Sequence, residues 1–126
     1  MSALIWECVR HNNAFLKKGH GPKTLTSEPS NVTGIHNQKF SGLAGQKVAG
    51  LVAVTKGKKQ SIRMLTKLTT GKSACPKSAV LSTGVSKCAK KGVEAITKSL
   101  CTYRPDLVSA ATAKYQKIKR SFRLRK

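Results

Sequence analysis

Residues 85–126 read VSKCAKKGVEAITKSLCTYRPDLVSAATAKYQKIKRSFRLRK, and this stretch decides the fold class. From Val85 to Leu100, apolar residues recur every three or four positions, which predicts an amphipathic helix. Pro105 suits the first position of a second helix, and Asp106 carries a favourable charge for its first turn. A second apolar stripe follows at helical spacing through Leu107, Ala111, Tyr115, Ile118 and Phe122. The sequence therefore predicts two packed helices.

Upstream of these helices, the pattern changes to one typical of β structure. Residues 38–69 carry β-compatible apolar side chains between glycines that suggest bends, and TKGKK at 55–59 predicts a hairpin turn. Residues 70–84 show no apolar period and predict a basic connector. Near the start, Ser2 is placed to cap a short helix reaching Val9. A strand is expected to start at Ala14–Lys17, and the Gly- and Pro-rich residues 17–33 predict a loop.

These patterns predict one α+β domain spanning residues 1–126. We expect a small antiparallel β-sheet or hairpins, preceded by a short N-terminal helix and followed by two C-terminal amphipathic helices. Residues 1–69 are expected to be mostly β with the short helix, 70–84 the basic connector, and 85–126 the helical part with a basic end.

The charge of the chain is its most unusual property. Lys and Arg number 25 against 4 Asp and Glu, which gives a net charge of +21. A solvated surface normally mixes both signs, and a compact body this cationic repels itself unless a polyanion supplies counter-charge. Both halves of the chain are basic, so the field belongs to the domain itself. Nucleic acid is the partner that this indicates.

The same composition argues against an enzyme. Four acidic residues and three histidines leave few combinations for acid–base catalysis, so we expect no catalytic residues. The four cysteines are too widely spaced for a zinc motif, so we expect no bound metal. Cys8, Cys75, Cys88 and Cys101 are expected to be free thiols, some of them acting as small core hydrophobes. Thr70-Gly71-Lys72-Ser73 resembles the end of a phosphate-binding loop, but position 66 is Thr where that motif needs Gly. No cofactor is expected.

No apolar run is long enough to span a membrane, and the first ten residues lack the pattern of a signal peptide. We therefore expect no membrane partner.

Several strings, in order along nearly the full length, resemble the eukaryotic large-subunit ribosomal protein family numbered twenty-eight in the older nomenclature. They are Met1-Ser2-Ala3 with Trp6 and Val9-Arg10, Phe15-Leu16-x-Lys18, Glu28-Pro29-x-Asn31, Phe40-x-Gly42-Leu43, the basic hairpin through Gly57, and Tyr103-Arg104-Pro105-Asp106-Leu107 followed by Ala110-Ala111. Lys67, Lys72 and Lys77 depart from the family by standing where Arg-rich sequence is usual.

The resemblance implies a structural constituent of the cytoplasmic large ribosomal subunit that supports translation, with passage through the nucleolus during assembly. Large-subunit ribosomal RNA and neighbouring ribosomal proteins would be its partners, with no small-molecule substrate. The alternative is a nucleolar ribosome-assembly factor sharing the domain, for which an acidic extension would be expected. An enzyme acting on nucleic acid is a third hypothesis and would require a carboxylate or Cys/His metal cluster.

The expected RNA contacts are Lys and Arg residues that would meet phosphates, because RNA helices are recognised mainly by shape and backbone. They are Arg10, Lys17, Lys18, Lys23, Lys56, Lys58, Lys59, Lys72, Lys77, Arg104, Lys119, Arg120, Arg123, Arg125 and Lys126. Trp6 and Tyr103 could pack in the core or stack on a base, and core packing is the preferred interpretation. Leu107, Tyr115 and Phe122 are assigned to the core.

Overall fold

A computed structural model of the chain describes residues 2–57, 59–68 and 79–123, the last without its side chain. The elements, in order, are α1 Ser2–Val9, β1 Leu16–Lys17, β2 Leu25–Thr26, β3 Ala49–Lys56, β4 Lys59–Lys67, β5 Val80–Val85, α2 Ala89–Tyr103, a 3-10 turn Pro105–Leu107 and α3 Val108–Arg123. β1 and β2 form a two-stranded sheet, and β3-β4-β5 form a three-stranded antiparallel sheet. The predicted α+β class, with its short first helix and two last helices, is confirmed.

The core lies between one face of the three-stranded sheet and the last two helices. In the register of β3 and β4, Leu51 lies opposite Met64 and Ala53 opposite Ile62. Leu51, Ile62 and Met64 are buried against Ile96 of α2. β4 shows the alternation expected of a half-buried strand, with Ile62 and Met64 buried on either side of exposed Arg63, whereas β3 buries all three residues from Ala49 to Leu51.

The apolar stripe of the last helix lies where its spacing predicts. Leu107, Ala111 and Tyr115 are buried, and Ile118 and Phe122 pack against the same cluster. The Tyr115 hydroxyl donates a hydrogen bond to the Ser86 carbonyl oxygen at 2.6 Å, so the aromatic side chain is buried with its polar end satisfied.

Two boundaries around these helices were predicted wrongly. Residues 80–84, predicted as connector, belong to strand β5, and Val85 ends that strand rather than starting α2. β5 is an edge strand with nearly every side chain exposed, so it lacks the alternation that identifies a half-buried strand. Pro105 starts a 3-10 turn that leads into α3 at Val108. Residues 70–78 of the predicted connector lie outside the described residues.

The predicted β region 38–69 begins too early. Residues 38–48 form turns, because the Asn37 carbonyl oxygen accepts the backbone N–H groups of Phe40 and Ser41, each at 3.0 Å. The Ser41 carbonyl oxygen then accepts the Gly45 N–H at 3.1 Å. Backbone groups that are bonded within turns are not available for pairing with a neighbouring strand. The hairpin turn itself is confirmed, with Gly57 at a φ of 56° that favours glycine.

The N-terminal region also differs from expectation. The predicted loop 17–33 contains β2, which pairs with β1. α1 matches its predicted bounds but buries none of its residues, and Leu4 is 68% exposed. Trp6 is half-buried and lies outside the core cluster, so the core assignment of Trp6 was wrong. The cysteines Cys8, Cys88 and Cys101 are free but exposed rather than packed in the core.

Candidate nucleic-acid interface

A surface cleft of about 360 Å³ brings together three of the predicted contact residues. Arg10 directly follows α1, Lys18 follows β1, and Lys23 precedes β2. Trp6 and His36 line the same cleft, beside His11, Leu16, Pro22, Thr24 and Ile35. We call this the N-terminal cleft. Its lining combines cations with aromatic and aliphatic surface.

One ring–ring contact and two hydrogen bonds hold the cleft together. The Trp6 and His36 ring centroids are 4.8 Å apart, with the ring planes tilted by 39°. His36 Nε2 lies 2.8 Å from the Arg10 carbonyl oxygen, so Nε2 carries the proton that it donates. The His36 backbone N–H donates to the Thr24 carbonyl oxygen at 3.0 Å. Through these two hydrogen bonds, His36 links the end of α1 to the segment that carries Lys23.

Asn31 shapes the turn that delivers His36 to the cleft. Its Oδ1 accepts the backbone N–H groups of Thr33 and Gly34 at 3.0 and 2.9 Å, and its Nδ2 donates to the Ile35 carbonyl oxygen at 3.0 Å. Gly34 adopts a φ of 71°, which favours glycine. Asn31 is fully buried, so water does not compete for these hydrogen bonds. The network therefore holds the turn in one conformation.

The hairpin lysines form a second group, apart from the N-terminal cleft. Lys56 and Lys59 are exposed and lie directly opposite each other in the strand register. Like charges in that position repel, so an anion near the turn would relieve the repulsion. Lys58 lies outside the described residues.

The last helix provides a third group. Lys119 and Arg120 line a shallow cleft of about 180 Å³ with Gln116 and Ala89. The side chain of Arg123 and all of Arg125 and Lys126 lie outside the described residues, as do Lys72 and Lys77. Lys17 is exposed on β1 but does not line either cleft.

Arg104 has a structural role within the fold that the sequence did not indicate. Its guanidinium donates to both Asp106 carboxylate oxygens, at 3.1 and 2.7 Å, and to the carbonyl oxygens of Lys39 and Lys47 at 3.0–3.3 Å. The side chain is only 17% exposed. These bonds tie the turns at 38–48 to the α2–α3 junction, and an RNA contact by Arg104 stays a prediction.

Three of the four acidic side chains are paired or buried. Glu7 pairs with Arg10 at 3.3 Å, and Asp106 pairs with Arg104 at 2.7 Å. Glu28 is buried, and this burial raises the pKa of its carboxyl above the ordinary 4.5, against the opposing hydrogen bond from Ser30. Glu94 is exposed on α2. The cationic surface is therefore only weakly neutralised from within.

Some cations are also used inside the fold. The Lys114 ammonium donates to the Asn31 carbonyl oxygen at 2.9 Å, and burial lowers the pKa of Lys114. Lys67 Nζ donates to the Gly45 carbonyl oxygen at 3.0 Å. Base stacking by Trp6 was the less favoured interpretation of the sequence, and His36 was not predicted, because no sequence spacing links two residues thirty positions apart.

Within the described ranges, no three His, Cys, Asp or Glu side chains lie together in a way that could hold a metal ion. Nor does any helix there have the length and apolar character needed to cross a bilayer.

Fold and surface define a small, strongly basic α+β protein with cations at two surface clefts and at a hairpin turn, a pattern typical of proteins that associate with nucleic acid. The model of the Ribosomal L28e protein family matches residues 4–121. The chain belongs to this family.

Named relatives agree with that membership. The large ribosomal subunit protein eL28 of Dictyostelium discoideum is 32% identical over 121 residues, covering 95% of this chain and 87% of the relative. The protein of the same name from Trypanosoma cruzi is 33% identical over 118 residues, or 91% and 73% of the two chains. That of Schizosaccharomyces pombe is 44% identical over 52 residues, 40% of this chain and 39% of the relative.

Proposed function

We propose that this chain is a structural constituent of the cytoplasmic large ribosomal subunit, binds ribosomal RNA and supports translation without catalysing a reaction. Two relatives that are named as large-subunit proteins are similar to almost the whole chain, which supports the proposal. The observation that carries the RNA-binding part is the net charge of +21 on a fold in which, among the described residues, only Arg10, Lys39 and Arg104 pair with carboxylates.

The mechanism is neutralisation of phosphates. Each Lys or Arg that meets a phosphate releases condensed counterions, and this release favours binding. Lys outnumbers Arg on this surface, which suits diffuse backbone contacts more than bidentate reading of base edges. The three groups at the N-terminal cleft, the hairpin and the end of α3 would contact different stretches of RNA.

The whole chain acts in this proposal as one domain, with the connector 70–78 contributing Lys72 and Lys77. Neighbouring ribosomal proteins are further partners. The protein passes through the nucleolus while the subunit assembles and then resides in cytoplasmic ribosomes.

Sedimentation of a tagged full-length chain from eukaryotic cells tests the proposal. We expect the chain in large subunits, in whole ribosomes and in polysomes, and in free large subunits after the ribosomes are split by chelation of magnesium. Confinement to nucleolar precursor particles would support the assembly factor instead, and absence from all ribosomal fractions would contradict both.

A further inference from the structure

Trp6 is the one tryptophan of the chain, and the fold does not use it in the core. The side chain extends from the middle of α1 and is half-buried, with its ring against His36. Within the described residues its indole N–H makes no hydrogen bond, and because no buried side-chain donor there lacks a partner, this N–H is open to solvent. A large aromatic residue placed in this way leaves both ring surface and a donor available to a ligand.

The surroundings of Trp6 have the composition of a ligand site. The N-terminal cleft has a volume of about 360 Å³, within the range of about 300–1,000 Å³ typical of small-ligand pockets. Leu16, Pro22 and Ile35 add apolar wall, and Thr24 adds a hydroxyl. Arg10, Lys18 and Lys23 supply the cations. Apolar and aromatic walls bordered by cations fit a planar aromatic group joined to phosphate.

We propose that the N-terminal cleft binds one unpaired nucleobase of single-stranded RNA, which stacks on the Trp6–His36 pair while Lys18, Lys23 and Arg10 hold the flanking phosphates. This inference rests on the proposed function and deepens it by naming the form of RNA. Bases inside an A-form duplex are hidden from aromatic side chains, whereas the bases of loops and bulges can leave the stack. Stacking on an aromatic side chain is independent of base identity, so the site selects unpaired RNA rather than a sequence.

The fluorescence of Trp6 gives a direct test, because no other tryptophan contributes. The full-length chain is titrated with an unstructured oligoribonucleotide, with a duplex of equal length, and with an abasic ribose-phosphate oligomer. Anisotropy of labelled RNA measures binding in parallel. We expect the unstructured RNA to quench Trp6 strongly and the duplex and abasic oligomers to bind with little quenching.

Equal quenching by all three ligands, or no quenching by bound unstructured RNA, would overturn the base site and leave phosphate binding intact. Failure of all three ligands to bind would overturn the proposed RNA binding as well. The two failures are therefore distinguishable.

Variants separate stacking from folding. Trp6→Leu is expected to weaken binding of the unstructured RNA about tenfold, within the range for loss of one base–aromatic stack. Duplex and abasic affinities should stay the same, and Trp6→Phe should restore most of the loss. Leu4→Ala on the same helix, at a residue 68% exposed and outside the cleft, is the matched control. If Trp6→Leu lowered the affinity for all three ligands equally, Trp6 would have a merely structural role. A lower affinity in Leu4→Ala would indicate the same. Circular dichroism checks that each variant is folded.

Discussion

Arg104 shows how a single residue can be recognised in the sequence for one role and placed by the fold in another. Tyr103-Arg104-Pro105-Asp106 indicated the family and suggested an RNA contact. The structure adds hydrogen bonds from the guanidinium to the carbonyl oxygens of Lys39 and Lys47. These acceptors lie far away along the chain, so no local pattern could have indicated them.

The Asp106 partner of Arg104 predicts a pH-dependent contribution to stability. The Arg104 hydrogen bond lowers the pKa of Asp106 below its ordinary 3.8. A lowered carboxyl pKa gives stability that is present above the unfolded value and lost as the pH falls through the folded value. Because Asp106 is 36% exposed, we expect Asp106→Asn to lower the free energy of unfolding at neutral pH by only about 0.5–1 kcal/mol.

Denaturant unfolding at several pH values measures this effect. The difference from the native chain should disappear in acid, once Asp106 is protonated in both states. Glu94→Gln is the charge-matched control, since Glu94 is exposed on α2. An unchanged difference at acid pH, or an equal effect of Glu94→Gln, would contradict the ion pair.

Gly92 gives a second prediction at the scale of the residue. It is buried on α2, and a Cβ there would collide with the Tyr115 hydroxyl and the Ser86 carbonyl oxygen. We expect Gly92→Ala to destabilise the fold by about 1–3 kcal/mol, the usual cost of overpacking, even though alanine favours a helix. Thermal unfolding checks this, with Gly84→Ala as control because its Cβ would meet open space. A stabilised Gly92→Ala variant would contradict the packing of α2 against Tyr115.

Helices and strands that bury one face could be predicted from the sequence, because their apolar residues recur with a regular period. α2 and α3 were found because Ile96, Leu100 and Tyr115 recur at helical spacing and all lie in the core. β5 was missed because an exposed edge strand has no buried face to reveal it. The cations of the N-terminal cleft were predicted singly, but their grouping depends on loop bonds such as those of Asn31, which no period encodes.

The hairpin of β3 and β4 carries a prediction with two opposite effects. Because Lys56 and Lys59 face each other, Lys56→Gln should raise the free energy of unfolding of the RNA-free chain by about 0.2–1 kcal/mol. The same change should weaken RNA binding, because one phosphate contact is lost. Lys87→Gln, an exposed lysine between β5 and α2, controls for the loss of charge alone. A lower free energy of unfolding in Lys56→Gln would contradict the repulsion between the two lysines. An unchanged RNA affinity would argue against an RNA-facing hairpin.

At the scale of the whole molecule, a lean core must hold together a strongly repelling surface. The chain has only one Trp, two Tyr and three Phe, with a net charge of +21. A polyanion that binds only the folded state stabilises it by mass action and also removes the repulsion.

We therefore expect the unfolding temperature to rise when short RNA or inorganic polyphosphate is added at low salt, and the rise to shrink at high salt. Differential scanning calorimetry measures this, with a neutral polymer as control. An unfolding temperature indifferent to RNA would show that the folded body is complete without a polyanion.

Binding through phosphates is tested by the salt dependence of the affinity of the full-length chain for single-stranded ribosomal RNA. The logarithm of the binding constant should fall linearly with the logarithm of the salt concentration, with a slope of about −0.7 for each phosphate contact. The three cations of the N-terminal cleft alone then predict a slope of about −2, and a steeper slope follows if the hairpin and α3 also bind. Affinity that hardly changes with salt would contradict binding through phosphates.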